Sequence, residues 1–282
     1  MHRSLIFAAV IFLPTALLVA AESAAGFEPP GVGRNFTLAH PGIAMVWVAP
    51  GTFLVCSTLG TGDDTQVTLT RGYWLGRTEV TQGQWQRLMD HNPVPSSFKG
   101  SERPVECVDW DSVMVFCRRL TESESRAGRL AAGYVYSLPT EAQWEYACRA
   151  GTTGIFAGNL DSMGWYDANA EGQTHPVGQK QPNAWGLYDM YGNVIEWCLD
   201  WYAAYPGGSV SDLFGTGSRQ FHVLRGGSWN SPGGQCRSGL RHWNPTSGGN
   251  SGIGFRLALV PVTSALLGSP VGVSESEPSP RK

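Results

Sequence analysis

The sequence predicts a loop-rich α+β fold with few regular elements, and three observations carry that expectation. Glycine is over-represented, with 36 in 282 residues, close to twice the usual ~7%. Large aromatics are plentiful, with 11 Trp, 11 Phe and 9 Tyr, and their buried area can pin loops that lack a hydrogen-bonded ladder. Charged residues make up only 15% of the chain and the net charge is −3, against about 25% charged in an average globular protein. A coiled coil or helical bundle needs more charged surface than this, and a polyanion-binding face needs a basic excess. The composition therefore argues against both, and against nucleic acid as a partner.

Taken in order, the elements begin with His2 and Arg3 ahead of an apolar run from Leu5 to Ala21, broken by Pro14 and closing in Val19-Ala20-Ala21 before Glu22. This is the order of a secretory signal, residues 1–21, cleaved after Ala21. It predicts export to the periplasm or the extracellular space, with no membrane span left after cleavage. Residues 22–42 are rich in Ala, Gly and Pro and aperiodic, which predicts a linker; Asn35-Phe-Thr37 within it matches a glycosylation acceptor. The folded domain is expected over residues 43–262. Residues 263–282 are rich in Ser, Pro and Gly without an aromatic anchor, which predicts a disordered tail.

Inside the domain, Met45 to Phe53 and Val67 to Trp74 are β-branched and aromatic runs that read as strands. Thr81-Gln-Gly-Gln84 is a capping-box pattern ahead of Trp85, Leu88 and Met89, predicting a short helix that ends near Asn92-Pro93. A second helix starts near Asp109 to Asp111 and carries Val113, Met114, Phe116, Cys117 and Leu120. A third is set up by Leu138-Pro-Thr140 with Gln143 three residues on, and places Trp144, Ala147 and Cys148 on one face. From Gly151 to Arg256 helix signals disappear, and 13 of the 36 glycines fall between Gly207 and Gly254. Loops in that number need something to hold them: buried Trp, disulfides or bound metal. The six cysteines, at 56, 107, 117, 148, 198 and 236, form no CxxC pair; in an exported chain such spacing favours disulfides over a zinc site. No HExxH pattern and no Gly-x-Ser-x-Gly elbow occurs, and Gly215-Thr-Gly217 lacks the Lys of a phosphate loop.

Seven strings in order resemble the sulfatase-modifying-factor family, the formylglycine-generating enzymes and their relatives. They are Gly72-Tyr-Trp-Leu-Gly-Arg-Thr-Glu-Val-Thr81, Arg103-Pro-Val-Glu-Cys-Val-Asp-Trp110, Leu138-Pro-Thr-Glu-Ala-Gln-Trp-Glu-Tyr-Ala-Cys148, Asn183-Ala-Trp-Gly-Leu-Tyr-Asp-Met190, Gly192-Asn-Val-Ile-Glu-Trp197, Leu224-Arg-Gly-Gly-Ser-Trp229 and Gly252-Ile-Gly-Phe-Arg256. The resemblance implies a single α+β domain similar to the C-type lectin fold, in which a small twisted sheet supports long loops. It also implies the oxidation of a sulfatase Cys to formylglycine by copper and O2, with Cu(I) held between two thiolates.

The residues matching that cysteine pair are Ser231 and Cys236, just after Ser228. A serine hydroxyl is a poor Cu(I) ligand, so an oxidase would rest on Cys236 with Ser231 and Ser228 beside it. An alternative count from Gly254-Phe-Arg256 makes Cys236 a structural cysteine bridged to Cys148. Cys56 with Cys107 is a further candidate pair, and Cys117 with Cys198 either a bridge or two buried thiols. The resemblance also aligns Asn193 and Glu196 with oxygen ligands of a structural Ca2+.

With the thiol pair incomplete, the resemblance points to a non-oxidase member that binds a peptide, glycan or protein through Trp229, Asn230, His242, Trp243 and Asn244. These residues lie in a run from Asn230 to Gly252 that is rich in small polar groups around aromatic anchors. The alternatives are a formylglycine-generating oxidase and a variable ligand-binding protein. The second arises because Leu224 to Leu257 looks like the variable region of diversity-generating retroelement proteins, with Asn230, Ser231, Gly233, Gly234, Gly239, His242, Asn244 and Ser247 as candidate varied positions.

Overall fold

Short strands open the chain, and breaks in the sequence set their lengths. The computed structural model describes residues 31–55, 65–89, 94–217 and 219–262; the signal run, the start of the linker, Cys56 and the tail lie outside the described residues. Strands β1 (Phe36–Thr37) and β2 (Ala44–Val48) pair antiparallel. Pro50, which has no N–H for a ladder, follows β2, and β3 (Gly51–Val55) belongs to a different sheet. The run from Met45 to Phe53 is thus two strands rather than one. Val67 to Trp74 divides likewise into β4 (Thr65–Leu69) and β5 (Tyr73–Gly76). The packed chain also begins before residue 43: Leu38 is buried, and the Asn35 carboxamide accepts the Trp47 backbone N–H at 2.8 Å.

The three expected helices form where their caps are written. In α1 (Gln82–Met89) the Thr81 hydroxyl and the Gln84 carboxamide cap each other's backbone at 3.2 and 2.9 Å. In α2 (Trp110–Arg126) the Asp109 carboxylate accepts Ser112 N–H at 2.7 Å. After β6 (Tyr134–Ser137), α3 (Glu141–Arg149) starts on a full capping box between Thr140 and Gln143. The remainder is short: α4 (Leu160–Met163), β7 (Gly164–Trp165), β8 (Tyr191–Gly192), β9 (Ile195–Trp201), β10 (Gly208–Ser211), β11 (Phe221–Arg225), a 3-10 turn at Gly233–Gln235, β12 (Arg241–Pro245), β13 (Ile253–Gly254) and β14 (Ala258–Pro261). Only the single turn of α4 departs from the expectation that α-helix ends at Gly151.

A five-stranded sheet, β1-β2-β5-β14-β6, joins the two ends of the described chain. A four-stranded sheet, β12-β11-β9-β13, carries the C-terminal loops, and a three-stranded sheet, β10-β4-β3, flanks them. Tryptophan ties these layers to the loops. The buried indoles of Trp74, Trp110 and Trp197 donate to the carbonyls of Arg34, Cys198 and Val108 at 2.8, 3.0 and 3.0 Å. Arg34 and Val108 lie in irregular segments and Cys198 in β9, so burial and hydrogen bonding fall on the same tryptophan in each case. Disulfides do not share that role among the described residues: Cys107, Cys117, Cys148, Cys198 and Cys236 are all free thiols.

Candidate functional site

The site is built on the β11–β12 hairpin pair, in which Leu224 faces His242 and His222 faces Asn244. After β11 the chain turns at Gly226 and Gly227, both at positive φ. At Gly227 a Cβ would stand 2.5 Å from the Cys236 sulfur, so the turn admits no side chain there. The next loop closes on itself. The Ser231 hydroxyl accepts Ser228 N–H at 3.0 Å, and the Ser228 hydroxyl donates to the Asn230 carboxamide at 2.8 Å. Trp229 fixes the loop from behind, its indole donating to Ser251 O at 2.9 Å and its ring edge-on to Phe98.

These elements enclose an open cavity of about 230 Å3. Its polar wall is Ser228, Asn230, His242, Asn244 and Asn250, and Ile195, Leu224 and Ile253 supply the apolar part, with Trp243 on the border. Four of the five expected ligand-binding residues therefore converge, together with Ser228. Trp229 does not line the cavity but holds its loop in place. Asn250 lies in a loop of the same run and did not stand out there, and the apolar residues were missed because strands far apart in the chain deliver them.

Ser231 and Cys236 do not line the cavity. Cys236 is fully buried beneath Gly227, and burial, with Asp167 nearby, pushes its thiol up to about 12. Burial holds Cys148 at about 11; its sulfur faces the Met190 carbonyl, Tyr191 and Ser238. The expected Cys148–Cys236 bridge is thus not formed, since the two thiols face different surroundings. Cys117 and Cys198 are two buried thiols, and Cys107 is likewise unbridged. A linear Cu(I) site needs two converging thiolates. One protonated thiol and a serine already committed to Ser228 do not fit it.

Beneath the site lie two buried ionic clusters that sequence reading did not locate. Glu196 is held on both oxygens by Arg256 at 2.6 Å and receives the Trp144 indole at 2.7 Å. Asn193, at φ 56°, accepts His175 N–H at 2.9 Å and donates to Glu79 at 2.9 Å. The two expected calcium ligands are therefore each engaged by protein. Their neighbour Asp189 accepts Gly178 N–H through Oδ2, while its Oδ1 is buried without a partner. Burial raises the Glu79 carboxyl well above its ordinary value, helped by Asp189 and Glu196, and burial holds Asp189 at about 6. Three carboxylates thus surround the Arg256 guanidinium, with one Asp189 oxygen left without a partner among the described residues. In the second cluster, Glu141 and Glu145 of α3 meet Arg149, Arg225 and Arg241.

Residues 37–260 match the family described as the sulfatase-modifying factor enzyme 1-like domain. The chaperone protein LppX of Paenibacillus barcinonensis is 30% identical over 260 residues, covering 76% of this chain and 86% of that protein. The formylglycine-generating enzyme of Mus musculus is 30% identical over 209 residues, 66% of this chain; the alignment spans only 50% of the enzyme's length. Among solved structures, the Treponema denticola variable protein 1 superposes with a TM-score of 0.71 at 32% identity, over 80% of this chain and 98% of that one.

Proposed function

We propose that this chain, which belongs to the sulfatase-modifying-factor family, is a binding member that takes a peptide, glycan or protein ligand in the cavity of its C-terminal loops. One observation carries the reading. Asn230, His242, Trp243 and Asn244 meet at an open cavity, while the thiol that an oxidase would use is buried away from it. The mammalian relative is named for generating formylglycine, so the decisive experiment is direct. Purified protein is incubated with Cu(I), O2 and a Cys-x-Pro-x-Arg peptide and examined by mass for aldehyde. None is expected; aldehyde that disappears in Cys236→Ala would establish the oxidase instead.

The diversified reading is favoured by the likeness to a protein named as variable and by the lining of the cavity, where three candidate varied positions, Asn230, His242 and Asn244, lie side by side. A near-identical template repeat and a reverse transcriptase gene beside this gene are its test, and a genome lacking both removes it. Two further points belong to the proposal. Export rests on the Leu5 to Ala21 run and predicts a mature N-terminus at Glu22; no helix of the described residues is long and apolar enough to cross a membrane. A structural calcium held by Asn193 and Glu196 predicts a rise in Tm with added Ca2+ that is absent in Asn193→Ala.

A further inference from the structure

The cavity has an unusual donor set for a site that would read peptides: none of its lining side chains is charged. His242 is held below its ordinary pKa by burial, so its imidazole is neutral at pH 7, and its Nε2 has no partner. The carboxamide oxygens of Asn230 and Asn250 are occupied, by the Ser228 hydroxyl and by Gly252 N–H at 2.8 Å each. Among the described residues their Nδ2 groups have no hydrogen-bond partner, nor has the Asn244 carboxamide. Three amides thus face one small space, offering N–H donors and an open carbonyl acceptor. A charged ligand group entering here would lose water without gaining a counter-charge. Neutral hydroxyls, which donate and accept at once, match amides on both counts.

The surroundings point the same way. Sites for drug-sized molecules start at about 300 Å3, so 230 Å3 suits one ring at the end of a chain. β12 is the edge strand of its sheet, and it ends at Pro245, whose carbonyl already accepts Gly248 N–H at 2.8 Å. That leaves a short and blunted edge for strand addition by a peptide. Strand alternation places Trp243 on the other face of β12 from His242 and Asn244. There it is 51% exposed and packs with Phe221 and Tyr202 at 4.3 and 6.5 Å between ring centroids. Exposed aromatic surface beside amides is what the C–H face of a sugar ring covers.

We infer that the cavity receives one ring of an uncharged oligosaccharide, its hydroxyls paired with Asn230, Asn244 and Asn250, while the adjoining ring lies over the edge of β12 against Trp243. This rests on the binding function proposed above. The test is an array of neutral and acidic oligosaccharides printed beside tiled peptides, probed with the wild-type chain and with Asn244→Ala, Asn230→Ala and Trp243→Ala. Asn230 and Trp243 are exposed, so those two variants keep the fold, which melting by circular dichroism verifies. Neutral glycans should bind with little dependence on salt, lose at least about tenfold in affinity in Asn230→Ala and Asn244→Ala, and weaken in Trp243→Ala. Peptides bound through the same residues would overturn the sugar assignment and leave the binding function standing. Binding of neither class would overturn the sugar assignment and leave a folded protein as the ligand of the proposed function, and binding indifferent to all three variants would overturn both.

Discussion

Arg256→Met should be the costliest single change in the core, because it removes the one cation from an acid-rich cluster. Glu79, Asp189 and Glu196 are all buried around this guanidinium, which also donates to Gly76 O and Tyr188 O at 3.1 and 3.0 Å. Without it Glu196 keeps only the Trp144 indole, and two backbone carbonyls lose a donor. Breaking a buried pair from one side costs about 3–5 kcal/mol. At ~2–4 °C per kcal/mol for a domain of this size, Tm should fall by roughly 6–20 °C. Glu196→Gln keeps the shape and removes only the charge paired with Arg256, so its cost should stay near that of a charged hydrogen bond, about 1.5–3 kcal/mol. The α3 cluster inverts the count, with Arg149, Arg225 and Arg241 around Glu141 and Glu145. There, losing the acid in Glu145→Gln should cost more than losing the base in Arg225→Met. Thermal and urea unfolding followed by circular dichroism measures all four. Equal costs within each pair, or a loss under about 1 kcal/mol for Arg256→Met, would refute the reasoning that charge count decides.

Other outcomes follow from single positions. Burial, with Glu141 close by, pushes the Asp200 carboxyl up to about 7. The folded state therefore binds this proton more tightly than the unfolded one, and stability should fall as pH rises from about 4 to 7. Asp200→Asn should flatten that slope in a series of melts, at the cost of one of the two N–H groups, Glu141 and Gly215, that Asp200 now accepts; an unchanged slope would rule the shift out. Gly227→Ala should destabilise by about 2 kcal/mol or more, from a left-handed φ of 72° and the overlap with Cys236; the double variant with Cys236→Ala should recover part of this, and full tolerance would contradict the turn geometry. Cys148 and Cys236 should react with a disulfide reagent only on unfolding, since both thiols are buried and raised; a bridge between them in peptide mapping would refute their separation. Ser231→Cys should loosen the loop without creating a tight Cu(I) site in chelator competition; 1:1 binding lost with Cys236→Ala would show that the two positions do converge.

Helix starts were legible because caps are local. Thr81 with Gln84, Asp109 with Ser112, and Thr140 with Gln143 each act within three residues, and no distant part of the chain can alter that preference. The strands were less legible. Met45 to Phe53 is one hydrophobic run, and its division between two sheets depends on partners that lie elsewhere, β5 for one half and β4 for the other. Strands of two residues such as β7, β8 and β13 exist only through those partners. The buried arginines were invisible for a related reason. Arg225 and Arg256 are spelled like surface arginines, and only the carboxylates brought from α3 and β9 make them core residues.

The candidate site divides along the same line. Asn230, His242 and Asn244 were readable because small polar residues around aromatics signal an exposed recognition loop, and that signal lies within the segment itself. Asn250 lay in the same run without standing out, and Ile195 and Leu224 read as ordinary strand residues. Register decides their role: Ile253 pairs with Ile195, and Leu224 pairs with His242, which draws three separate segments around one space. The serine at 231 carries the complementary lesson. Its hydroxyl, bonded to Ser228 at 3.0 Å, folds the loop back on itself and so shapes the cavity wall. Ser231 therefore acts on the cavity through the loop it closes, and exchanging it for Cys alters the wall that carries Asn230.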